Sequence, residues 1–412
     1  MDSLTHLVAG ALIPLAFKRT PKRAAVIGFG IAVGELPDID AFFGAGPEAL
    51  LVLHRGVTHA LFWQPVLVLL AVIPFYIWLH CRGAGTYPLP TPDCRTDEPC
   101  PTFFAGAQGM GAFSFGQMYL VALIGVVIHL YLDWMTTFGT MIFLPFSSMR
   151  VALPALFIID LALTLPLLIL LILALRAAPD IIPAKAGDST GFAFVSAKSQ
   201  KLARMGLTWI LLYPLLSLGV NATLTARLAP SFTAPQATSQ EVPARRADGG
   251  PNTPQAPSRL ILMTEPFSPF VWKAIVDDGP AYRMSALFPL QHLDPPGTEK
   301  EQSFSKPDPQ LYDVLMGQNA LFGHFRSFAP LMIQLQRPVN PMTQLDYKEP
   351  ISEYTFVDLR YVISPDSPAR WFGRTDPIFM LEARVNPSGA LLAYRFLERG
   401  RDAGHTPWIT ME

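Results

Sequence analysis

From Ala60 to Leu79 the chain runs twenty residues without a charge, and this constrains the fold more than any other feature. At 1.5 Å per residue such a run matches the ~30 Å hydrocarbon core of a bilayer. In lipid the backbone must satisfy its own hydrogen bonds, so the run is helical. Comparable apolar stretches end at His129–Asp133, extend from Pro154 to Leu175 with one carboxylate, Asp160, and extend from Met205 to Leu224. Two others, Leu4 to Phe17 and Ala24 to Leu36, fall short of the ~20 residues a perpendicular span needs. They read as a tight hairpin or as re-entrant elements sheltered by neighbours. The expectation is a mainly α-helical integral membrane domain of about six apolar helices, the first two short, over residues 1–225.

Charged residues make up only 15% of the chain, against about a quarter in soluble domains. The net charge of -1 provides no field for nucleic acid, leaving membrane lipids as the expected partners. Cys81, Cys94 and Cys100 lie in one loop, too few for a thiolate zinc site and odd in number, so they read as reduced thiols. The basic cluster Lys18, Arg19, Lys22 and Arg23 follows the first apolar run instead of preceding it, which is not the order of a cleavable signal.

Basic residues also set an orientation. With the 18–23 loop in the cytoplasm and six crossings, eleven Lys and Arg fall inside, through Arg82, Arg95, Arg176, Lys185, Lys198, Lys201 and Arg204. Arg55 and Arg150 alone fall in the short outer loops. The chain reads as a multi-pass protein of a bacterial inner membrane. Residues 226–259, rich in Pro, Ala, Ser and Thr, read as a flexible linker. Residues 260–412 read as a periplasmic α+β domain, with strands at Tyr354–Ile363, Ile378–Val385 and Leu391–Phe396.

That topology gathers a set of metal-binding side chains on the outer side. His6 opens the first helix, Asp38 and Asp40 end the second, and His59 precedes the third. His129 and Asp133 stand one turn apart on the fourth. Imidazole and carboxylate ligands on separate rigid elements, with a position left for water, are what a hydrolytic metal needs. An Asp-x-Asp pair points both carboxylates one way only on extended backbone, so one of the two is expected to orient an imidazole instead. Arg55 suits an anionic substrate group, and Thr136 and Thr137 suit hydrogen bonds to a ligand or substrate. His54 would join only through a loop, and Asp160 has no assigned partner.

The stretches Met1–Gly10, Pro37–Asp40, His54–His59 and His129–Thr140 together resemble the YdjM family of inner-membrane proteins, described as metal-dependent hydrolases. The resemblance covers about residues 1–175, and Glu265–Trp272 and Asp358–Tyr361 are similar to tail segments of its longer members. The order His, Asp, His, His-x-x-x-Asp is also similar to that of zinc-dependent phospholipases C. That likeness implies His6, Asp40 or Asp38, His59, His129 and Asp133 as ligands. The later His and Glu ligands of those enzymes have no counterpart, so one or two ions, zinc by this analogy, are expected. The resulting expectation is a hydrolase of phosphoester or lipid-linked substrates, with Asp38, His54 and Arg55 as catalytic groups. The competing expectation is a membrane scaffold or stress-response protein with a structural metal.

Overall fold

The computed structural model describes residues 2–17, 23–42, 46, 49–83, 115–177, 180–181, 193–233, 258–266, 268–290, 301–337, 339, 344, 347, 349–372, 377–399 and 406–411. Most of the cysteine-bearing loop, Lys18, Arg19 and Lys22 of the basic cluster, and 234–257 of the expected linker lie outside them. The described chain forms two compact units.

The first unit comprises Met1–Phe43, Arg55–Leu153 and Ile158–Leu215. Its helices are α1 (Ser3–Leu15), α2 (Arg23–Gly34), α3 (Gln64–Gly83), α4 (Phe115–Trp134), α5 (Leu161–Arg176) and most of α6 (Ala197–Leu228). Strands β1 (Asp180–Ile181) and β2 (Ala193–Phe194) pair ahead of α6. Among the described residues α4 and α6 are long and apolar enough to cross a membrane, with a third crossing if the bent pair Ala49–His59 and Gln64–Trp78 is one span. Helices α1, α2 and α5 are shorter apolar helices.

Helix α1 is short but buried nearly all round, from Thr5 and His6 to Leu15. Its thirteen residues reach about 20 Å, short of the ~30 Å a perpendicular span needs. It approaches α2 at van der Waals limits: a Cβ on Gly10 would lie 2.3 Å from Gly30 O, and one on Gly34 would lie 2.9 Å from His6 O. Only glycine permits that crossing. Gly10→Ala is therefore expected to destabilise the hairpin by about 1–3 kcal/mol, read as a lower melting temperature in detergent. An unchanged melting temperature would refute the close crossing.

The carboxylate expected within a fifth span caps a helix instead. Helix α5 begins at Leu161, not Pro154, and Asp160 Oδ1 accepts from Leu163 N at 3.1 Å and from Tyr213 Oη of α6 at 2.9 Å. Thr164 continues the network to α1, with Oγ1 2.7 Å from Thr5 Oγ1, and Asp2 caps α1 through Thr5 N. These bonds link α1, α5 and α6 where apolar contact alone is not directional.

The second unit comprises Gly44–His54, Pro154–Phe157 and Leu216–Glu412. Helix α6 runs past the expected end at Leu224, because Leu224 and Leu228 are buried with Leu262, Trp272, Ala274 and Leu287. The short α7 (Pro230–Thr233) follows, so the expected linker starts as helix. An antiparallel sheet then runs β3 (Arg259–Thr264), β4 (Trp272–Asp277), β5 (Ala281–Leu287) and β6 (Gln302–Ser305) in order. Helices α8 (Pro309–Gln318) and α9 (Ala320–Phe328) precede a second antiparallel sheet. It is formed by β7 (Met332–Arg337), β8 (Ser352–Asp358), β9 (Ile378–Val385), β10 (Leu391–Arg399) and β11 (Ile409–Thr410), in the order β11-β10-β9-β8-β7. Ile275, Met284, Ile333, Val357, Met380 and Leu397 join the sheets in one core. The expected strand Tyr354–Ile363 stops at Asp358, whose side chain accepts from Arg360 N and turns the chain into a 3-10 helix. Buried Lys273 closes the unit, with Nζ donating to Leu359 O and Arg360 O at 3.0 and 3.1 Å. Lys273 Nζ also lies 3.6 Å from Glu265 Oε1, so it joins the two tail segments singled out from the sequence in one polar core.

Candidate metal centre

Four side chains from three elements of the first unit bring ligand atoms together: Asp38, His59, His129 and Asp133, all within 4.8 Å of one another. Asp38 lies on the 3-10 helix Pro37–Phe42 after α2, His59 ends the 3-10 helix Val57–His59, and His129 and Asp133 share α4. His59 Nε2 is 3.2 Å from Asp38 Oδ1, 3.2 Å from Asp133 Oδ2 and 3.3 Å from His129 Nε2. His129 Nε2 is 3.6 Å from Asp38 Oδ1 and 3.4 Å from Asp133 Oδ2.

These separations suit one ion. A tetrahedron with metal bonds of about 2.0–2.1 Å has edges of about 3.3 Å. The protonation pattern suits it as well. His129 Nδ1 stands 2.6 Å from Gly34 O, which can only accept, so Nδ1 carries a proton. In neutral His129 the Nε2 lone pair then faces the centre. His59 Nδ1 lies 3.4 Å from Asp40 Oδ2, which likewise favours a proton on Nδ1 and a lone pair on Nε2. Two lone pairs 3.3 Å apart, flanked by two carboxylate oxygens, repel one another unless a cation lies between them.

The Asp-x-Asp pair divides because its backbone is helical, not extended. Asp38 joins the centre, whereas Asp40 stands behind His59, also accepting from Arg55 N at 3.0 Å and Thr58 Oγ1 at 2.8 Å. Burial opposes ionisation of Asp38, but without a metal, protons on Nε2 of His129 and His59 hydrogen-bond to it and hold its carboxyl well below the usual range; a cation in the centre would take the place of those protons. Asp40→Asn would weaken the orientation of His59 without removing a ligand. Metal affinity is expected to fall about 10–100-fold, measured by chelator competition. An unchanged affinity would deny Asp40 its orienting role.

His6 sits outside the four. Its Nε2 is 3.3 Å from Asp133 Oδ1, and its ring stacks on His129 at 3.8 Å. Arg55, expected to face substrate, is instead 4% exposed and bound to the same carboxylate, with Nη2 2.9 Å from Asp133 Oδ1. Its Nη1 donates to Thr136 Oγ1 at 2.9 Å, and its guanidinium lies over Phe138. A buried guanidinium needs such a carboxylate, and its fork meets both partners at once. Arg55 also has φ 56, a left-handed backbone rare for a side chain of its size. Bonds at both ends pin that backbone: Arg55 N to Asp40 and Met141 N to Arg55 O at 3.0 Å. Thr136 Oγ1 donates in turn to Asp133 O at 2.8 Å, so this hydroxyl positions Arg55 and the end of α4. Thr137 is buried beside it. His54 follows the π-helical turn Ala49–Leu53, its N–H on Ala49 O, and belongs to the second unit.

Glu35 was absent from the sequence expectation. It lies just past α2, with Oε1 buried, and burial followed by the charge of Asp38 pushes its carboxyl up to about 7. The signal was present in the sequence, since a lone acid ends the apolar run Ala24–Leu36, as Asp133 ends another.

Helices that include membrane-crossing lengths, closing around a His and Asp centre fit for a metal, define a helical membrane protein with a candidate buried metal site. The model of the YdjM inner membrane protein family matches residues 1–227, more than half of the chain, and the chain belongs to that family. No curated protein and no solved structure matches it.

Proposed function

We propose that the chain is a membrane-bound, metal-dependent hydrolase acting on a phosphoester or lipid-linked substrate at the outer face of the inner membrane. The observation supporting this reading is the set of Asp38, His59, His129 and Asp133, in which every separation that involves an imidazole is 3.2–3.6 Å and each imidazole is held by a partner behind it. A divalent cation such as zinc, bound there, would polarise an electrophile and lower the pKa of water toward ~7.

The chain's own groups divide the remaining work. Asp38, kept ionised, suits a ligand and not a base. Glu35, titrating near neutrality, suits a proton acceptor at Oε1. His6 and Arg55 hold Asp133 Oδ1, which leaves Oδ2 toward the centre. Asp38 has a side chain 19% exposed while the other three are at most 1%, so substrate would approach past Asp38. The orientation and the periplasmic placement of residues 260–412 belong to the same proposal, supported by the balance of basic residues.

A screen of phosphoester and lipid-linked substrates with metal-loaded protein tests the activity. Turnover should be lost in His59→Ala. A base titrating near 7 must be ionised to act, so the rate should rise with pH through about 7. Glu35→Gln should lower turnover by about 10²–10⁴-fold; turnover at the wild-type level in that variant would exclude Glu35 as the base. The burial of three of the four ligands favours a second reading, a closed structural metal that ties helices together in a scaffold. Metal binding without turnover of any substrate would support it.

A further inference from the structure

Helix α6 carries a groove of about 530 Å³ lined in part by Lys201, Arg204, Met205, Trp209 and Leu212. We propose that this groove binds the headgroup of an anionic phospholipid. Charge is the first argument. Lys201 and Arg204 are exposed on one face of the helix, three residues apart and therefore neighbours. The sequence from 193 to 228 contains no acidic residue, and no carboxylate pairs with either cation among the described residues. Arg204 is nevertheless fixed in place, its Nε donating to Ala16 O at the end of α1 at 3.2 Å.

Polarity along the helix is the second argument. The cations lie at the start of a helix apolar enough to cross a membrane, and Met205, Trp209 and Leu212 continue the groove beyond them. Lys201 to Trp209 is about 12 Å along the axis, the step from a headgroup to the upper acyl chain. A phosphate meets Lys201 and Arg204 while its acyl chains lie along Trp209 and Leu212. A free phosphate would use only the first half of that surface. The groove lies at the C-terminal end of α1, whereas His6 on its first turns adjoins the metal centre, so the site is separate from that centre.

Each basic side chain at an anionic surface contributes a factor of roughly five in binding, so the pair should enrich anionic over zwitterionic lipid about 30-fold. The test is tryptophan fluorescence of the full chain in phosphatidylcholine nanodiscs containing brominated phosphatidylglycerol or, at the same mole fraction, brominated phosphatidylcholine. Stronger quenching by the anionic lipid is expected, with the excess lost in Trp209→Phe and in the double variant Lys201→Gln, Arg204→Gln. Equal quenching by the two lipids, or an excess that survives either replacement, would overturn the proposal. Should the double variant fail to reconstitute, wild-type protein at high salt decides. The excess must fall as the Debye length shrinks to ~3 Å at 1 M, and an excess indifferent to salt would overturn it equally.

Discussion

Protein carrying Asp133→Ala is expected to be purified with almost no bound metal, its affinity reduced by more than ~100-fold, beyond what loss of an orienting partner costs. Asp133 is the residue on which the centre depends most. Its Oδ2 lies 3.2 and 3.4 Å from the two Nε2 atoms, while its Oδ1 takes Arg55 and His6. Removing it deletes a ligand, strands a buried guanidinium and frees the His6 ring. Asp133→Asn separates these effects. The amide keeps the shape and still accepts from Arg55, but it lacks the charge that balances a cation. Near-complete metal loss in both variants, by elemental analysis, is the expected result. Wild-type metal content in the Asn variant would show that the carboxylate charge is not needed.

Arg55→Ala is expected to produce the largest loss of stability, roughly 3–5 kcal/mol for breaking a buried ion pair. Both partners are buried, with side-chain exposures of 5% and 0%. The loss should be greatest without metal, because a cation in the centre offsets the stranded Asp133 charge. Chelation should therefore lower the melting temperature further in the variant than in wild type. Arg55→Lys should fall between the two, since an ammonium can meet Asp133 but cannot also span to Thr136 as the fork does. A melting temperature unchanged in Arg55→Ala would remove Arg55 from the architecture of the site.

Much of the site was legible because ionisable residues stand out against apolar runs. His6, His59, His129 and Asp133 were visible as polar residues at helix ends, and their spacing on separate elements suggested convergence. Their individual roles were not legible. Whether Asp38 or Asp40 faces the imidazoles depends on a 3-10 turn that places them on different sides, and the pattern Pro-Asp-Ile-Asp is compatible with extended backbone too. Arg55 looked like an anion clamp because a sequence does not reveal that it is buried on Asp133. His6 read as a ligand from its place on the first turn of α1, and a sequence does not reveal that its Nε2 meets Asp133 Oδ1 while its ring stacks on His129.

The fold divides the same way. Hydropathy identified the long apolar helices but not their boundaries. Asp160 reads as a charge within a span until its cap on Leu163 N and its bond from Tyr213 are seen. The end of α6 was missed because Leu224 and Leu228 are buried against strands more than thirty residues further along the chain. Three strands of the C-terminal region, β8, β9 and β10, were visible in the sequence and β3 to β7 and β11 were not, whereas the stop at Asp358 came from a side-chain cap that the sequence pattern does not report.

X-ray absorption at the zinc edge of the zinc-loaded full chain tests the central claim most directly. The geometry predicts a first shell of nitrogen and oxygen at about 2.0–2.1 Å, imidazole scattering from two histidines, and no sulfur. A spectrum lacking imidazole, or one with sulfur near ~2.3 Å, would contradict a centre formed by Asp38, His59, His129 and Asp133.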